Sequence, residues 1–120
     1  MSSPAIVIVD PCLKDLVGHH FEYDRSLAHA AQRRGYQVNV LGHRQVEPKL
    51  RESIPIKRVF RFDIWDSYAR LSRRFPRLNN RLTNRAFFRD LRYGLAGTDL
   101  DANTIVFGHM ISSRQLLGWA

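Results

Sequence analysis

Two glycine–histidine sequences are the part of this chain best suited to chemistry. The first comprises Gly18, His19 and His20 and comes a few residues after the apolar run Ala5–Val9; the second contains His109 and directly follows another apolar run. An imidazole can donate or accept a hydrogen bond and can act as a base near neutral pH. A glycine lets backbone N–H groups approach an anion closely. We therefore predict that Gly18, His19 and His20 bind substrate and that His109 is the catalytic residue.

Carboxylates near the first loop allow two interpretations. Asp10 ends the first apolar run, and we predict that it faces the ligand or orders the loop. Glu22 and Asp24 fall in the first turn of the next predicted helix, where acids favour the helix dipole, so we interpret them as structural. Adjacent histidines rarely point the same way, and no carboxylate or thiol is evidently placed to complete a tetrahedral set with His109. We therefore expect no metal.

The bulk composition describes a basic globular domain. The chain has 120 residues, 44% of them hydrophobic, and a formal net charge of +8. This length fits one domain or part of one. Cys12 is the only cysteine, so an intrachain disulfide is excluded, which suits a reducing compartment. We see no secretory signal and no apolar stretch of the ~20 residues that a membrane span requires. The excess of arginine favours an anionic partner.

The order of the predicted elements indicates an α/β fold. Apolar runs alternate with an amphipathic segment that ends at Gly35, and strand–helix–strand units of this kind give parallel strands. We predict a Rossmann-like parallel sheet of about four strands with helices on both faces, incomplete at this length. The predicted strands are Ala5–Val9, Tyr36–Leu41, Ile56–Phe62 and Thr104–Phe107. The predicted helices are Phe21–Arg34, Asp66–Leu95 with a break at Pro76, and a segment after Ser112 or Ser113, with a loop over Gly42–Pro55 that contains a short helical turn.

In a parallel sheet, both histidine sequences would lie at the same edge. Ligands of open α/β sheets bind outside the carboxyl ends of the strands, next to the point where the strand order reverses. Because both sequences follow strands, we expect Gly18 and His109 to meet there. The dinucleotide fingerprint GxGxxG and the P-loop GK[ST] are both absent, so nucleotide binding by those motifs is not indicated.

A second candidate surface is an arginine series in the long helical region. Its members recur every three or four residues, with leucines and phenylalanines between them, which favours one basic face and one packed face. A basic amphipathic helix can lie on an anionic membrane, and we predict membrane or anion contacts for Arg74, Arg77, Arg81 and Arg85. No recognition motif accompanies the charge, so we expect no nucleic-acid partner.

Two segments resemble a known enzyme family. IVIVDPCLKDLVGHHFEYDRSLAHAAQRRGYQVNVLGHR and TIVFGHMISSRQLLG resemble the N-terminal domain of retaining nucleotide-sugar glycosyltransferases of the two-domain GT-B type. In that family a glycine-containing loop follows the first strand, and a histidine follows the fourth. By this resemblance Gly18 would lie near the donor phosphates and acceptor, and His109 would contact the transferred sugar. The family often has two glycines in the first loop, and His19 occupies the second place here.

The resemblance implies that residues 1–120 form the acceptor-side domain and that the donor-binding C-terminal domain lies outside them. The enzyme would transfer a sugar from a nucleotide-sugar, its co-substrate, to a glycan or lipid-linked acceptor, as in polysaccharide biosynthesis, without another cofactor. The 120-residue chain alone would be inactive. We expect a cytoplasmic protein, and peripheral association with the inner face of the membrane is compatible with this location.

An alternative function is a non-catalytic ligand-binding or receiver-like signalling domain. The opening strand with its acid, and Asp63 after the third strand, are similar to a phosphoacceptor receiver. However, Pro11 occupies the place of the second acid, and Lys57 is the last lysine, which is too early for the receiver's late-strand lysine.

Overall fold

The protein alternates strands and helices, as its hydrophobic pattern predicts. The computed structural model describes residues 4–15, 20–61, 76–98 and 100–109. The strands are β1 (Ala5–Val9), β2 (Gln37–His43), β3 (Ile56–Phe60) and β4 (Thr104–Gly108). The helices are α1 (His20–Arg33), α2 (Pro48–Ser53) and α3 (Pro76–Ala96).

The four strands form one parallel sheet in the order β3-β2-β1-β4. Successive strands run outwards from β1 to β3, and the chain then returns to place β4 on the other side of β1. A mononucleotide-binding half of the Rossmann fold has the strand order 3-2-1, and strand 4 of the complete fold lies next to strand 1. The order here is the same over four strands, which confirms the predicted α/β Rossmann-like class. Receiver domains have the order 2-1-3-4-5, in which the third strand lies next to the first. Here β2 separates β3 from β1, which removes the structural basis for the receiver-like alternative.

Helices cover both faces of the sheet. On one face, α1 and α2 pack on alternate residues of β1, β2 and β3; the buried set includes Ile6, Ile8, Phe21, Ala28, Val38, Val40, Leu50 and Ile56. On the other face, α3 contributes Phe87 and Leu91 against Val7, Val9, Leu41, Val59 and Phe60. Every residue of β1 is buried, as its unbroken run of apolar residues predicts for a central parallel strand.

Two glycines and one ion pair fix how the helices meet the sheet. Gly35 ends the α1 connection with φ of 86°, a conformation that other residues rarely adopt, which confirms its predicted role. Gly94 lies so close to β2 and β3 that an added Cβ would be 2.9 Å from Leu41 Cδ1. The Asp90 carboxylate of α3 accepts hydrogen bonds from the backbone N–H and the Nε of Arg61, just after β3.

The structure differs from the sequence prediction at the end of β2. The predicted loop over Gly42–Pro55 begins too early, because β2 continues to His43 and pairs with β3 through a register shift at that point. The His43 N–H donates to the carbonyl of Leu13, which holds the extra residues in the strand. The predicted helical turn in that loop is α2, and α3 begins at Pro76, where the break was predicted. The helical predictions over 66–75 and after Ser112 lie outside the described residues.

Within the described ranges, the structure contains no helix that is both long enough and apolar enough to cross a bilayer.

Candidate functional site

The candidate site lies at the carboxyl edge of the sheet, where β1 and β4 are neighbours. Asp10 directly follows β1, and its N–H donates to the carbonyl of Leu41 on β2. His109 directly follows β4, and its N–H donates to the carbonyl of Val9 on β1 at 2.8 Å. The sheet ladder therefore extends one residue past each strand and fixes both backbones. This is the point at which the strand order reverses, next to which open α/β sheets bind their ligands.

A third residue, Asp24, reaches the same point from α1. Phe21, Asp24 and Ala28 are buried on one side of the helix, as expected for residues three and four apart. The packing of Phe21 and Ala28 against the sheet thus carries Asp24 inwards, over the carboxyl end of β4. Its position follows from the apolar face of the helix. The prediction that it lies in the first turn, at the helix dipole, was wrong, because of the two acids only Glu22 lies in that turn.

The two carboxyl groups contact the same nitrogen of His109. Nδ1 lies 3.0 Å from Oδ1 of Asp24 and 3.3 Å from Oδ2 of Asp10. The other oxygen of Asp10, Oδ1, accepts a hydrogen bond from the N–H of Cys12 at 3.0 Å, which orders the turn after β1. Both carboxyl groups are 0% exposed, whereas the His109 side chain is 20% exposed. The imidazole is therefore held by buried groups at Nδ1, while part of its side chain is accessible to solvent.

The pKa values of the two buried carboxyl groups are shifted in opposite directions. Burial, together with the hydrogen bond and negative charge of Asp10, raises the pKa of Asp24 to about 10. Burial also acts to raise the pKa of Asp10, but hydrogen bonds from His109, Asp24 and the Cys12 N–H, with the charge of His109, hold that pKa below its ordinary value. The two carboxyl groups consequently share one proton at neutral pH, and the pair carries one negative charge.

The shared proton bears on which ring nitrogen of His109 carries its hydrogen. With the shared proton between the two carboxyl groups, Oδ1 of Asp24 can accept the Nδ1–H of His109. A neutral His109 in that tautomer has its lone pair on Nε2, the atom that can accept a hydrogen bond from a ligand hydroxyl or receive its proton. A carboxylate that orients an imidazole in this way is the usual arrangement for a histidine that acts as a base.

An aromatic ring covers one side of His109. The ring centroid of Tyr23 lies 4.3 Å from that of His109, with the planes tilted by 32°. Tyr23 is also stacked on Phe107 of β4 with a centroid distance of 6.4 Å. The Tyr23 side chain is 48% exposed, so the imidazole and the phenol together form an accessible surface at the crevice. A sugar ring or a base can pack on such a surface while it hydrogen-bonds to the imidazole.

The structure describes only some of the predicted site residues. Gly18 and His19 lie outside the described residues, and His20 is the first residue of α1. The predicted meeting of Gly18 with His109 therefore remains a prediction. Asp10 orders the loop, as one of its two predicted roles requires, and it lies beneath His109.

The carboxyl groups beside His109 were not predicted from the sequence. Asp24 was assigned to the helix dipole, and Asp10 was treated separately from His109, although strand order 3-2-1-4 places Asp10 and His109 on neighbouring strand ends. One signal for Asp24 was present: it stands between Phe21 and Ala28 at the spacing of the buried helix face, where an unpaired acid is costly.

The basic surface is the outer side of α3. Arg74 lies outside the described residues, whereas Arg77, Arg81 and Arg85 are exposed, as are Arg89 and Arg92. Three large apolar side chains are exposed among them: Leu82 (48%), Phe88 (49%) and Tyr93 (63%). The helix has one acid, Asp90, which is buried against Arg61. The described part of α3 thus presents arginines and apolar groups together to solvent.

Comparison of the chain with protein-family models, with curated proteins and with solved structures gave no match.

Proposed function

We propose that this chain is the acceptor-side, N-terminal domain of a retaining GT-B glycosyltransferase, in which His109 contacts the sugar that is transferred from a nucleotide-sugar. The observation that carries the proposal is the location of His109. It follows β4 at the reversal of strand order, is partly exposed, and has its Nδ1 against two buried carboxyl groups. The resemblance of the segments around Gly18 and His109 to that family supports the same interpretation.

The geometry supports a hydrogen-bonding role for His109. Asp10 and Asp24 fix the ring through Nδ1, and we assign the sugar contact to the other ring nitrogen, Nε2. A fixed imidazole loses little side-chain entropy when a sugar hydroxyl binds. Its hydrogen bond can also stabilise charge that develops at the sugar during transfer. Asp10 and Asp24 act through His109, and we assign them as positioning residues.

The partner domain would complete the site. In this proposal the nucleotide diphosphate is gripped by a second α/β domain, and the cleft between the two domains excludes water from the departing diphosphate. The acceptor is a glycan or a lipid-linked saccharide. No cofactor besides the nucleotide-sugar is required by this chemistry.

The outer side of α3 supports a peripheral membrane location for such an enzyme. Arginines attract anionic headgroups, and half-exposed Leu82 and Phe88 between them can enter the interface, which is the pattern of an interfacial helix. A cytoplasmic protein docked in this way at the inner face of a membrane would be brought close to a lipid-linked acceptor.

Sugar transfer tests the enzymatic part. The full-length protein is incubated with a panel of nucleotide-sugars and candidate acceptors, and nucleotide diphosphate release is followed. Substitution His109→Gln should lower kcat/KM by about 10- to 100-fold, the value of a hydrogen bond to a charged or developing-charge group. Substitution His29→Gln is the matched control, since His29 lies on α1 and contacts the carbonyl of Ser53. Equal activity of the two variants, or no turnover with any donor, would refute the proposal.

Vesicle co-sedimentation tests the membrane part. The protein should sediment with vesicles that contain phosphatidylglycerol and not with pure phosphatidylcholine, and added salt should release it. The double substitution Arg81→Gln with Arg85→Gln should weaken binding, whereas the matched pair Arg33→Gln with Arg34→Gln, exposed at the end of α1, should not. Identical loss in both double variants would mean that net charge alone, and not α3, drives the association.

A further inference from the structure

The acid pair under His109 is unusual because both of its members are fully buried. Asp10 and Asp24 are 0% exposed, and apart from contacts within the cluster itself the Oδ2 atom of each has no hydrogen-bond partner in the described part of the protein. Both carboxyl groups contact Nδ1 of His109, and an oxygen of one lies within 4.8 Å of an oxygen of the other. Asp10 also accepts a hydrogen bond from the N–H of Cys12. Two buried carboxyl groups in contact need a proton or a cation between them.

The distances from Nδ1 of His109 to the two carboxylate oxygens match the distance between neighbouring ligands in a metal site. One atom from each of Asp10, Asp24 and His109 can be chosen so that all three lie within 4.8 Å of one another. The separations from Nδ1 to the two oxygens are 3.0 and 3.3 Å. Ligands about 2.0–2.2 Å from Zn²⁺ lie roughly 3–3.5 Å apart in tetrahedral or octahedral sites. Two of the three ligand-to-ligand separations thus already have the spacing that a shared ion imposes.

We propose that Asp10, Asp24 and His109 bind one divalent first-row cation, through an oxygen of each carboxylate and through Nδ1 of the imidazole. The ligand set decides the class of ion. Imidazole nitrogen suits Zn²⁺, and carboxylate oxygens suit Mn²⁺ and Mg²⁺, so a mixed set with one nitrogen and two oxygens favours Zn²⁺ or Mn²⁺ over Mg²⁺.

Binding exchanges protons for the ion. The cation takes the Nδ1 lone pair, the imidazole proton is then carried on Nε2, and any proton shared by the two carboxyl groups passes to solvent. Three protein ligands leave at least one coordination position for water or for an oxygen of a bound ligand.

The ion would join three separate elements at the candidate site. Asp10 belongs to the end of β1, Asp24 to α1 and His109 to the end of β4, so one cation would cross-link the sheet edge to the helix. It would also make Nε2 a hydrogen-bond donor to the crevice. The inference does not depend on glycosyl transfer: an inactive protein that binds the ion would contradict the proposed function and leave the metal site intact.

Calorimetric titration of the EDTA-treated, dialysed full-length protein with Zn²⁺, Mn²⁺ and Mg²⁺ tests the site. We expect one Zn²⁺ or Mn²⁺ per chain, with weaker Mg²⁺ binding. Because loss of an outer-shell partner already costs 10- to 100-fold in affinity, Asp24→Asn and His109→Gln should each weaken binding by at least about 100-fold. The control variants His29→Gln and Cys12→Ala should bind the ion as the native protein does. That result would exclude a surface histidine and the single thiol as ligands of the ion.

A second measurement keeps the proposal falsifiable if a variant does not fold. In the native protein, Zn²⁺ should move the side-chain ¹⁵N resonance of His109 Nδ1 in a histidine-selective NMR spectrum, and should leave that of His29 in place. Absence of binding by all three ions at millimolar concentration, binding that survives Asp24→Asn, or a shift at His29 without one at His109 would overturn the proposal. In the first of these cases a shared proton, and not a cation, joins the two carboxyl groups.

Discussion

Replacement of Asp24 by asparagine should stabilise the metal-free protein, and increasingly so as the pH rises. Asparagine has nearly the same shape, its Oδ1 can accept the Nδ1–H of His109, and its amide can donate to Asp10 as the Asp24 proton does. The substitution therefore keeps the contacts of the cluster and removes one ionisable group.

The magnitude follows from the raised pKa of Asp24. The folded protein retains a proton up to a pKa of about 10, while the unfolded chain releases it near the ordinary value of 3.8. The contribution of Asp24 to stability is thus fully present below pH 3.8 and is lost progressively as the pH rises towards 10. Each pH unit in this window costs ~1.4 kcal/mol, so the native protein should have lost ~4 kcal/mol at pH 7, a loss the asparagine variant avoids.

Urea denaturation of both proteins between pH 5 and 8, in the presence of EDTA, measures this difference. The free energy of unfolding of the variant minus that of the native protein should grow by ~1.4 kcal/mol per pH unit. Asp10 adds no slope here, because its pKa is lowered and its stabilising contribution is lost only in acid, below this window. The exposed acid Glu22 on the same helix supplies the control Glu22→Gln, which should change stability by less than about 0.5 kcal/mol. Parallel curves for the native protein and Asp24→Asn would refute the proposed proton pair.

Three further substitutions test how the helices are fixed to the sheet, each by urea denaturation. Gly94→Ala should destabilise the protein by about 1–3 kcal/mol, because the new methyl group meets side chains of β2 and β3. Gly97→Ala is the control and should destabilise the protein clearly less, because its closest contact is the flexible end of Lys57. Equal destabilisation by the two substitutions would contradict the close approach of Gly94 to the sheet. Asp90→Ala should cost about 1–3 kcal/mol by removing the acceptor of the Arg61 N–H, with a smaller loss for Asp90→Asn, and a neutral alanine variant would show that this contact is not formed. Gly35→Ala should cost about 1–2 kcal/mol because of the positive φ, and Gly35→Asn less; an alanine variant as stable as native protein would argue against that turn.

The sequence predicts the fold well because each element carries its own signal. The unbroken apolar run of β1 predicts a strand covered on both faces, and Gly35 predicts the end of the first crossover. Both signals are local, and neighbouring residues suffice to interpret them. The end of β2 was misplaced because Gly42 and His43 are held in the strand by Leu13 and β3, which are distant in sequence.

The candidate site was predicted only in part, because its contacts are long-range. Position at the strand ends is sufficient to select Asp10 and His109 as candidates. Their contact depends on β4 lying beside β1, which strand order decides and local sequence does not. The contact of Asp24 with His109 joins residues 85 positions apart, and only the buried face of α1 hinted at it.

The most direct test of the account is whether a nucleotide-sugar contacts His109. Histidine side-chain NMR spectra of the full-length protein are recorded during titration with the donor that gives turnover, or with the whole panel if none does. The account predicts that the His109 imidazole resonances shift in a saturable manner while those of His29 do not. Saturable binding that leaves His109 unperturbed would contradict it, as would the absence of any binding.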